Sequence, residues 1–408
     1  MTPKRICVVY DASELVVGPG DDDPLEVRED AAVAAVDGEV VAVGDTDEVT
    51  REYPPENAEV AIDADGSAVV PGFVDPHTHA VFAGDRSDEF EARLRGKSYQ
   101  EILEGGGGIL RTVEATRKAS ADQLLENLCS HLDVMLAGGT TTVEVKSGYG
   151  LDAETELRLL EVVERANEHH PVDLVPTFLG AHAVPDGVST DEYVDHVVDE
   201  QLPAVESQGI AEFCDVFCEE GVFDVSQSRR VLEAGREAGL IPKVHAEEFT
   251  RLGGSQLAAD LEAASADHLL CATDADVEAL LAAGVVPVLL PGTAFGLGEE
   301  YADAQAILEA GGPLAIATDF NPNCHARSMA FAQTLSCVEM GLTPAEALRA
   351  ATSGAARALE REDGTGTLEV GAPADAVVLE APSYAHLAYR FDTSAAETVV
   401  KDGEVVGT

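Results

Sequence analysis

From residue 69 to residue 360 the chain keeps one rhythm: short β-branched runs alternate with amphipathic helical stretches. The strand candidates are Val69–Val74, Thr141–Val145, Leu174–Leu179, Glu212–Phe217, Pro242–His245, Ala264–His268, Val285–Leu290 and Leu314–Thr318. Between them lie helical patterns such as Ala121–Leu136, Ala153–Asn167, Val225–Ala238 and Asp274–Ala283. About eight β-α alternations predict an α/β fold, a (β/α)8 TIM-like barrel. A doubly wound open sheet is the alternative, but no Gly-x-Gly-x-x-Gly follows the first strand of this region.

The two ends of the chain share a different texture. Ile6–Tyr10, Ala31–Val36, Val40–Val43 and Val60–Ile62 read as strands, with Asp37-Gly38 and Asp65-Gly66 as turns. Gly366–Val370, Ala376–Leu379 and Val399-Val400 followed by Asp402-Gly403 repeat the pattern. The expected organisation is a small β-sandwich domain built from residues 1–68 and 361–408 around a barrel of residues 69–360.

In a barrel the C-terminal strand ends share one face, so polar residues there converge although they are distant in sequence. The first strand leads into PGFVDPHTHAVFAGDR, with His77 and His79 two residues apart; on extended backbone both rings point the same way. His182 follows the third strand, His245 and His268 end the fifth and sixth, and Asp319 follows the eighth. His77, His79, His245 and the Asp319 carboxylate suit a borderline divalent cation, Zn or Fe, with a position left for water. Such an ion lowers the pKa of water toward neutrality. Glu248, in HAEE, is placed to act as general base, with Glu247 its adjacent competitor. His131, His169, His170, His196 and His386 fall in helical or terminal stretches and are expected to be exposed, while His325 is unassigned. Gly105–Gly108 reads as a lid, a close backbone approach or a plain loop.

Charge bears on the setting rather than the reaction. Asp and Glu number 76 against 25 Lys and Arg, a formal charge of -51. Self-repulsion on this scale calls for salt screening, so a high-salt cytoplasm is expected, and the surface argues against nucleic acid and anionic membranes as partners. Continuous apolar periodicity excludes an acidic disordered chain. The seven scattered cysteines fit free thiols in a reducing compartment; Cys214 and Cys218 have metal-like spacing but no second pair. Neither a signal peptide nor a membrane-length apolar run is evident, which points to the cytoplasm.

The His-x-His after strand one, the later single histidines and the strand-eight Asp resemble the amidohydrolase superfamily, and within it the imidazolonepropionase family. PGFVDPHTHAVFAGDR, GGGGIL, TTVEVKSGYGLD, TFLGAHAVP, KVHAEEF, LLPGTAFGL and ATDFNPN carry the likeness through the whole barrel. The resemblance implies metal-dependent hydrolysis of a cyclic amide in histidine degradation, with one divalent ion and a homodimer. It implies that Arg86 reads a substrate carboxylate, for which a bidentate guanidinium is suited. It places Tyr99, Tyr149, His182, Glu248 and Asn321 around the substrate, and His268 at the developing oxyanion or the water. Lys146 ends strand two, whereas the modified bridging lysine of two-metal relatives ends strand four, where this chain has Cys218-Glu219; Glu219 stays open as a ligand to a second ion. Many family members read Asn-Pro-Gly-Thr after the strand-eight Asp, but Asn321-Pro322-Asn323-Cys324 stands here, so the resemblance implies substrate contacts at Asn323 and Cys324 made with other side chains than the family's Gly and Thr.

Two other readings are weighed. Another cyclic amidase or heterocycle deaminase of the superfamily is disfavoured by Arg86, since a neutral base needs no carboxylate partner. A non-catalytic binding descendant of the fold should have lost ligands, and every expected position is filled.

Overall fold

The computed structural model describes residues 4–21, 23–97, 101, 107–393 and 395–407. Five strands come first: β1 (Ile6–Gly18), β2 (Glu26–Val36), β3 (Glu39–Asp45), β4 (Val60–Asp63) and β5 (Val69–Pro71). The barrel strands follow: β6 (Phe73–Asp75), β7 (Thr140–Lys146), β8 (Asp173–Ala181), β9 (Phe213–Cys218), β10 (Ile241–Ala246), β11 (Ser265–His268), β12 (Val286–Leu289) and β13 (Ala315–Ile316). Three more close the chain: β14 (Ala376–Leu379), β15 (Ala396–Lys401) and β16 (Glu404–Gly407).

The first and last groups form one mixed sheet, ordered β16-β15-β14-β5-β1-β2-β3 with β4 beside β1. Its hairpins are set by Asp-Gly pairs. Asp37 and Gly38 have φ of 55° and 88°, and Asp402 and Gly403 have 49° and 73°, the left-handed pair a tight hairpin demands. Hydrogen bonds from Val40 N to Ala372 O (2.9 Å) and from Ala374 N to Gly38 O (2.8 Å) bring β3 back to the segment before β14. The sheet thus rolls onto one apolar core, with Cys7, Val9 and Val33 from one end of the chain meeting Ala376, Val378 and Val400 from the other. The expected strand Gly366–Val370 does not form. Gly364 and Gly366 take φ of 89° and 77°, which no ladder accommodates, and the segment follows a turn instead.

The expected single strand Val69–Val74 is two strands in two sheets. Val70 pairs with Val377 in the terminal sheet, whereas Val74 pairs with Thr142 in the barrel. The crossing falls at Gly72, where a Cβ would lie 2.2 Å from Thr141 Oγ1.

The barrel strands run in sheet order β6 to β13, all parallel, each next to its neighbour in the chain. Helices on the outside start where the sequence supplies caps: Ser120 accepts from Gln123 N, Asp152 from Thr155 N, and Asp224 forms a capping box with Gln227. Closure between β6 and β13 is made by the chain just past both strands. Thr318 N and Oγ1 donate to the Asp75 carboxylate, Asp319 N donates to His77 O (3.1 Å), and His79 N to Phe320 O (2.9 Å). The lower interior is apolar, including Val175, Phe213, Val286 and Val288. The upper interior carries Glu144, Lys146, Asp215, Lys243 and Asp267, all buried. Among the described residues no helix is long and apolar enough to cross a membrane.

With 76 acidic residues and 25 Lys and Arg, repulsion is general while ion pairs are local. Lowering KCl from about 1 M to about 0.1 M lengthens the Debye length from about 3 Å to about 10 Å. The melting temperature followed by circular dichroism should fall by several degrees; an unchanged melt would contradict the salt requirement.

Candidate metal centre

The chain past β6 is held between β7 and the loop after β13, with Lys146 N donating to Thr78 O and Thr78 bridging Phe320. His77 and His79 therefore point to the barrel axis, where His245 arrives from β10 and Asp319 from beyond β13. His79 Nε2 lies 3.3 Å from His77 Nε2 and 3.4 Å from His245 Nε2, and Asp319 Oδ1 lies 3.6 Å from His77 Nε2 and 3.5 Å from His79 Nε2. A tetrahedral ion with ligands at about 2.0–2.1 Å sets its donor atoms about 3.3–3.4 Å apart. These separations match that spacing, and the strand ends gather two overlapping groups able to hold a cation, His77 with His79 and His245, and His77 with His268 and Asp319.

The hydrogen bonds behind the rings support that fit. Asp267 Oδ2 is 2.6 Å from His77 Nδ1, and Asp215 Oδ1 is 3.1 Å from His245 Nδ1. Each carboxylate accepts the Nδ1 proton, which leaves the Nε2 lone pair facing the centre. Burial, then Lys146, holds His77 well below the usual imidazole range, and burial, then His182, does the same for His79. Burial pushes the Asp319 carboxyl up to about 6 while Thr293 Oγ1 donates to it. His268 and Asp319 adopt φ of 81° and 50°, uncommon for residues with a Cβ and a sign of strain at the strand ends.

A cavity of about 120 Å³ opens over this set, lined by Arg86, Tyr149, His182, Glu248, His268 and Asn321 among others. Glu248 and Glu247 part company there. Glu247 turns with φ 54° and accepts from Leu252 N (2.7 Å), Gly253 N (3.1 Å) and Ser255 N (3.0 Å), so it builds the loop. Glu248 faces the cavity, its Oε2 3.6 Å from His268 Nε2, and burial raises its carboxyl well above the ordinary range. His182 stacks on His79 at 4.8 Å and donates Nδ1–H to Gly148 O, since a carbonyl only accepts; its Nε2 is then an acceptor. Arg86 is nearly buried at the cavity wall, with Nε and Nη2 at 2.9 and 2.8 Å from Glu89 Oε2. Glu89 in turn accepts from Gly108 N, the described end of the glycine run.

Asn321 lines the same cavity, and the remaining expected residues fall elsewhere. Asn321 spends its side chain on its own loop, accepting from Asn323 N (2.7 Å) and Cys324 N (2.9 Å). Those two amides are thereby occupied, and Cys324 is buried with Sγ 3.6 Å from Thr318 O, away from the 120 Å³ cavity. Asn323 lines the wider spaces outside it. Tyr99 and Gly105-Gly106 lie outside the described residues. Glu219 accepts from Phe249 N, Thr250 and Glu220 N and is absent from the ligand cluster. Of the histidines expected to be exposed, only His169 is. His131 stacks on Phe82 and abuts Phe320, His170 is shielded, and His196 and His386 are half-buried, because each sits on the inner side of its helix or turn. His325 is exposed. All seven cysteines are free, four of them buried.

Asp215, Asp267, Glu144 and Lys243 lie under the site without standing at a strand end that would single them out in the sequence. The available signal was a charged residue at alternate positions of runs otherwise apolar, Glu144 and Lys146 on β7 and Lys243 and His245 on β10.

The amidohydrolase family model matches residues 68–406. The chain belongs to the amidohydrolase family. A relative from Haloarcula marismortui, named imidazolonepropionase, is 69% identical over 98% of this chain and 96% of its own. Relatives of the same name from Halobacterium salinarum and Geobacillus kaustophilus are 61% and 49% identical, covering 98% and 94% of this chain and 97% and 91% of theirs. Among solved structures, atrazine chlorohydrolase from Arthrobacter aurescens complexed with zinc superposes with a TM-score of 0.73 at 18% identity, over 98% of this chain and 95% of that one. An adenosine deaminase from Xanthomonas campestris with bound zinc gives 0.73 at 20% identity, over 98% and 92%. At that identity they speak for the fold alone. As a member of this family the chain is a hydrolase with a metal-binding histidine cluster. The two haloarchaeal names accord with the acidic composition.

Proposed function

We infer that the chain catalyses the imidazolonepropionase reaction, hydrolysing the ring amide of 4-imidazolone-5-propanoate to N-formimidoyl-L-glutamate in histidine degradation. The observation that carries this reading is that one cavity brings His79, His245 and Asp319 of the ligand set together with Glu248, His268 and the Arg86 cation. The 61–69% identity of the haloarchaeal relatives supports the substrate.

His77, His79, His245 and Asp319 would hold a single Zn or Fe ion, which when bound supplies Lewis-acid polarisation and a water of lowered pKa. Arg86 binds the propionate carboxylate and so fixes which ring atom lies over the ligand set. Glu248 Oε2 takes the proton of the attacking water, and burial, which raises its carboxyl above the ordinary range, makes it a stronger base than an exposed glutamate. His268 Nε2, on the same side of the cavity, donates to the oxygen that becomes negative. As the ring C–N bond breaks, Glu248 returns the proton to the departing nitrogen, and the carbonyl carbon becomes the new carboxylate. Tyr149 and His182 wall the ring, and Asn321 shapes the loop, with Tyr99, Asn323 and Cys324 as outer contacts by resemblance. A cytoplasmic homodimer belongs to the same reading.

Steady-state assay of imidazolone propanoate ring opening in high salt, against cytosine and guanine deamination, tests the substrate; deamination without ring opening would overturn it. Arg86→Gln should raise KM by about 10- to 100-fold, the worth of a charge-assisted pair of roughly 1.5–3 kcal/mol, with a smaller effect on kcat. An unchanged KM would remove Arg86 from the carboxylate site.

A further inference from the structure

Beneath the ligand set lies a closed group of buried charges that the chemistry above does not use. Lys146 Nζ, fully buried, sits 2.7 Å from Glu144 Oε1, 2.7 Å from Asp215 Oδ2 and 3.9 Å from Asp267 Oδ2. Lys243 Nζ donates to Pro76 O (2.9 Å) and lies 3.5 Å from Glu144 Oε1. Barrel interiors are ordinarily filled by layers of branched apolar side chains, and buried ion pairs are no more stable than well-packed apolar replacements. Stability alone therefore does not account for five ionisable groups in this layer. Their placement does: Asp215 and Asp267 are the two carboxylates that accept from His245 and His77.

We propose that Lys146 is a positioning residue for the metal centre, bracing Asp215 and Asp267 so that the His245 and His77 rings present Nε2 to one point. One ammonium pairs with Asp215 at 2.7 Å and faces Asp267 at 3.9 Å, and no other Lys or Arg among the described residues is paired with Asp215. Lys243 completes the brace from the other side: it holds Pro76, the residue before His77, while sharing Glu144 with Lys146. Losing Lys146 frees the Asp215 side chain to turn, and His245 loses its fixed orientation. The inference rests on the metal reading given above.

The test uses zinc itself. Zinc affinity of the chelator-stripped protein is measured by competition with a chromophoric chelator, in high salt, beside a thermal melt. The variant is Glu144→Gln with Lys146→Met, which removes one charge of each sign and keeps the layer's net charge. Its zinc affinity should fall about 10- to 100-fold, the usual loss when an outer hydrogen-bond partner of a ligand is removed. Lys401→Met is the control: Lys401 is also buried and paired with carboxylates, the buried Asp375 and the exposed Asp173 and Asp402, but it lies in the terminal sheet. It should lower the melting temperature and leave zinc affinity within about twofold. Unchanged affinity in the double variant overturns the proposal, as does an equal loss in Lys401→Met, which would make the effect one of general destabilisation. If the double variant does not fold, Lys146→Arg decides on the same criterion, because a planar guanidinium cannot keep the same three contacts. Absence of zinc binding by the unmodified protein would instead sink the metal reading.

Discussion

Glu248→Gln should lower kcat by about 10²- to 10⁴-fold with KM nearly unchanged, the range of effect for a positioned acid–base group. Gln preserves the volume and the proximity to His268 but carries no exchangeable carboxyl proton. Burial, then the nearby Asp319 and Glu219, raises the Glu248 carboxyl well above its ordinary range. The base form therefore grows as pH rises, and kcat/KM of the unmodified enzyme should climb with pH on the acid side, a limb that vanishes in Glu248→Gln. The adjacent control is Glu247→Gln, which weakens three loop hydrogen bonds and should lower the melting temperature while sparing the pH profile. If Glu247→Gln carried the kcat loss and Glu248→Gln did not, the assignment would be reversed.

His245→Ala should abolish stoichiometric metal and reduce turnover by on the order of 10³-fold or more, since water then keeps a pKa near 16 rather than about 7. The ring supplies one of three converging nitrogens, and its loss also strands Asp215, buried with a partner missing. Elemental analysis of the purified variant and a single-turnover assay check both halves. Wild-type turnover in a metal-free His245→Ala protein would end the hydrolytic reading of the cluster.

Periodicity made the barrel legible: strands confined between two apolar layers, spaced by helices with Ser, Asp and Thr caps, leave an unmistakable alternation. The buried histidine cluster was legible for the same reason, because its members sit where strands end. What escaped has a local cause in each instance. The choice between Glu247 and Glu248 depends on a left-handed turn at Glu247, which a glutamate does not advertise. The split at Gly72 lies inside a continuous β-prone run, and only the crowding by Thr141 marks it. The charges on β7, β9, β10 and β11 are hidden in strands buried on both faces, where no polar-out alternation separates an inward Asp from a solvent-facing one. His131 reads as exposed because it falls in a helical stretch, yet Phe82 stacks on it and Phe320 abuts it.

The passage of one strand from the terminal sheet into the barrel at Gly72 also orders the chain's assembly in time. On the ribosome β5 emerges early, but its partner β14 is some 300 residues behind it, so the stem that leads into His77 and His79 has one free flank throughout synthesis of the barrel. That flank is an open β-edge of the kind that seeds association between nascent chains. The His77–His79 pair is consequently among the first elements translated and among the last to be anchored from both sides.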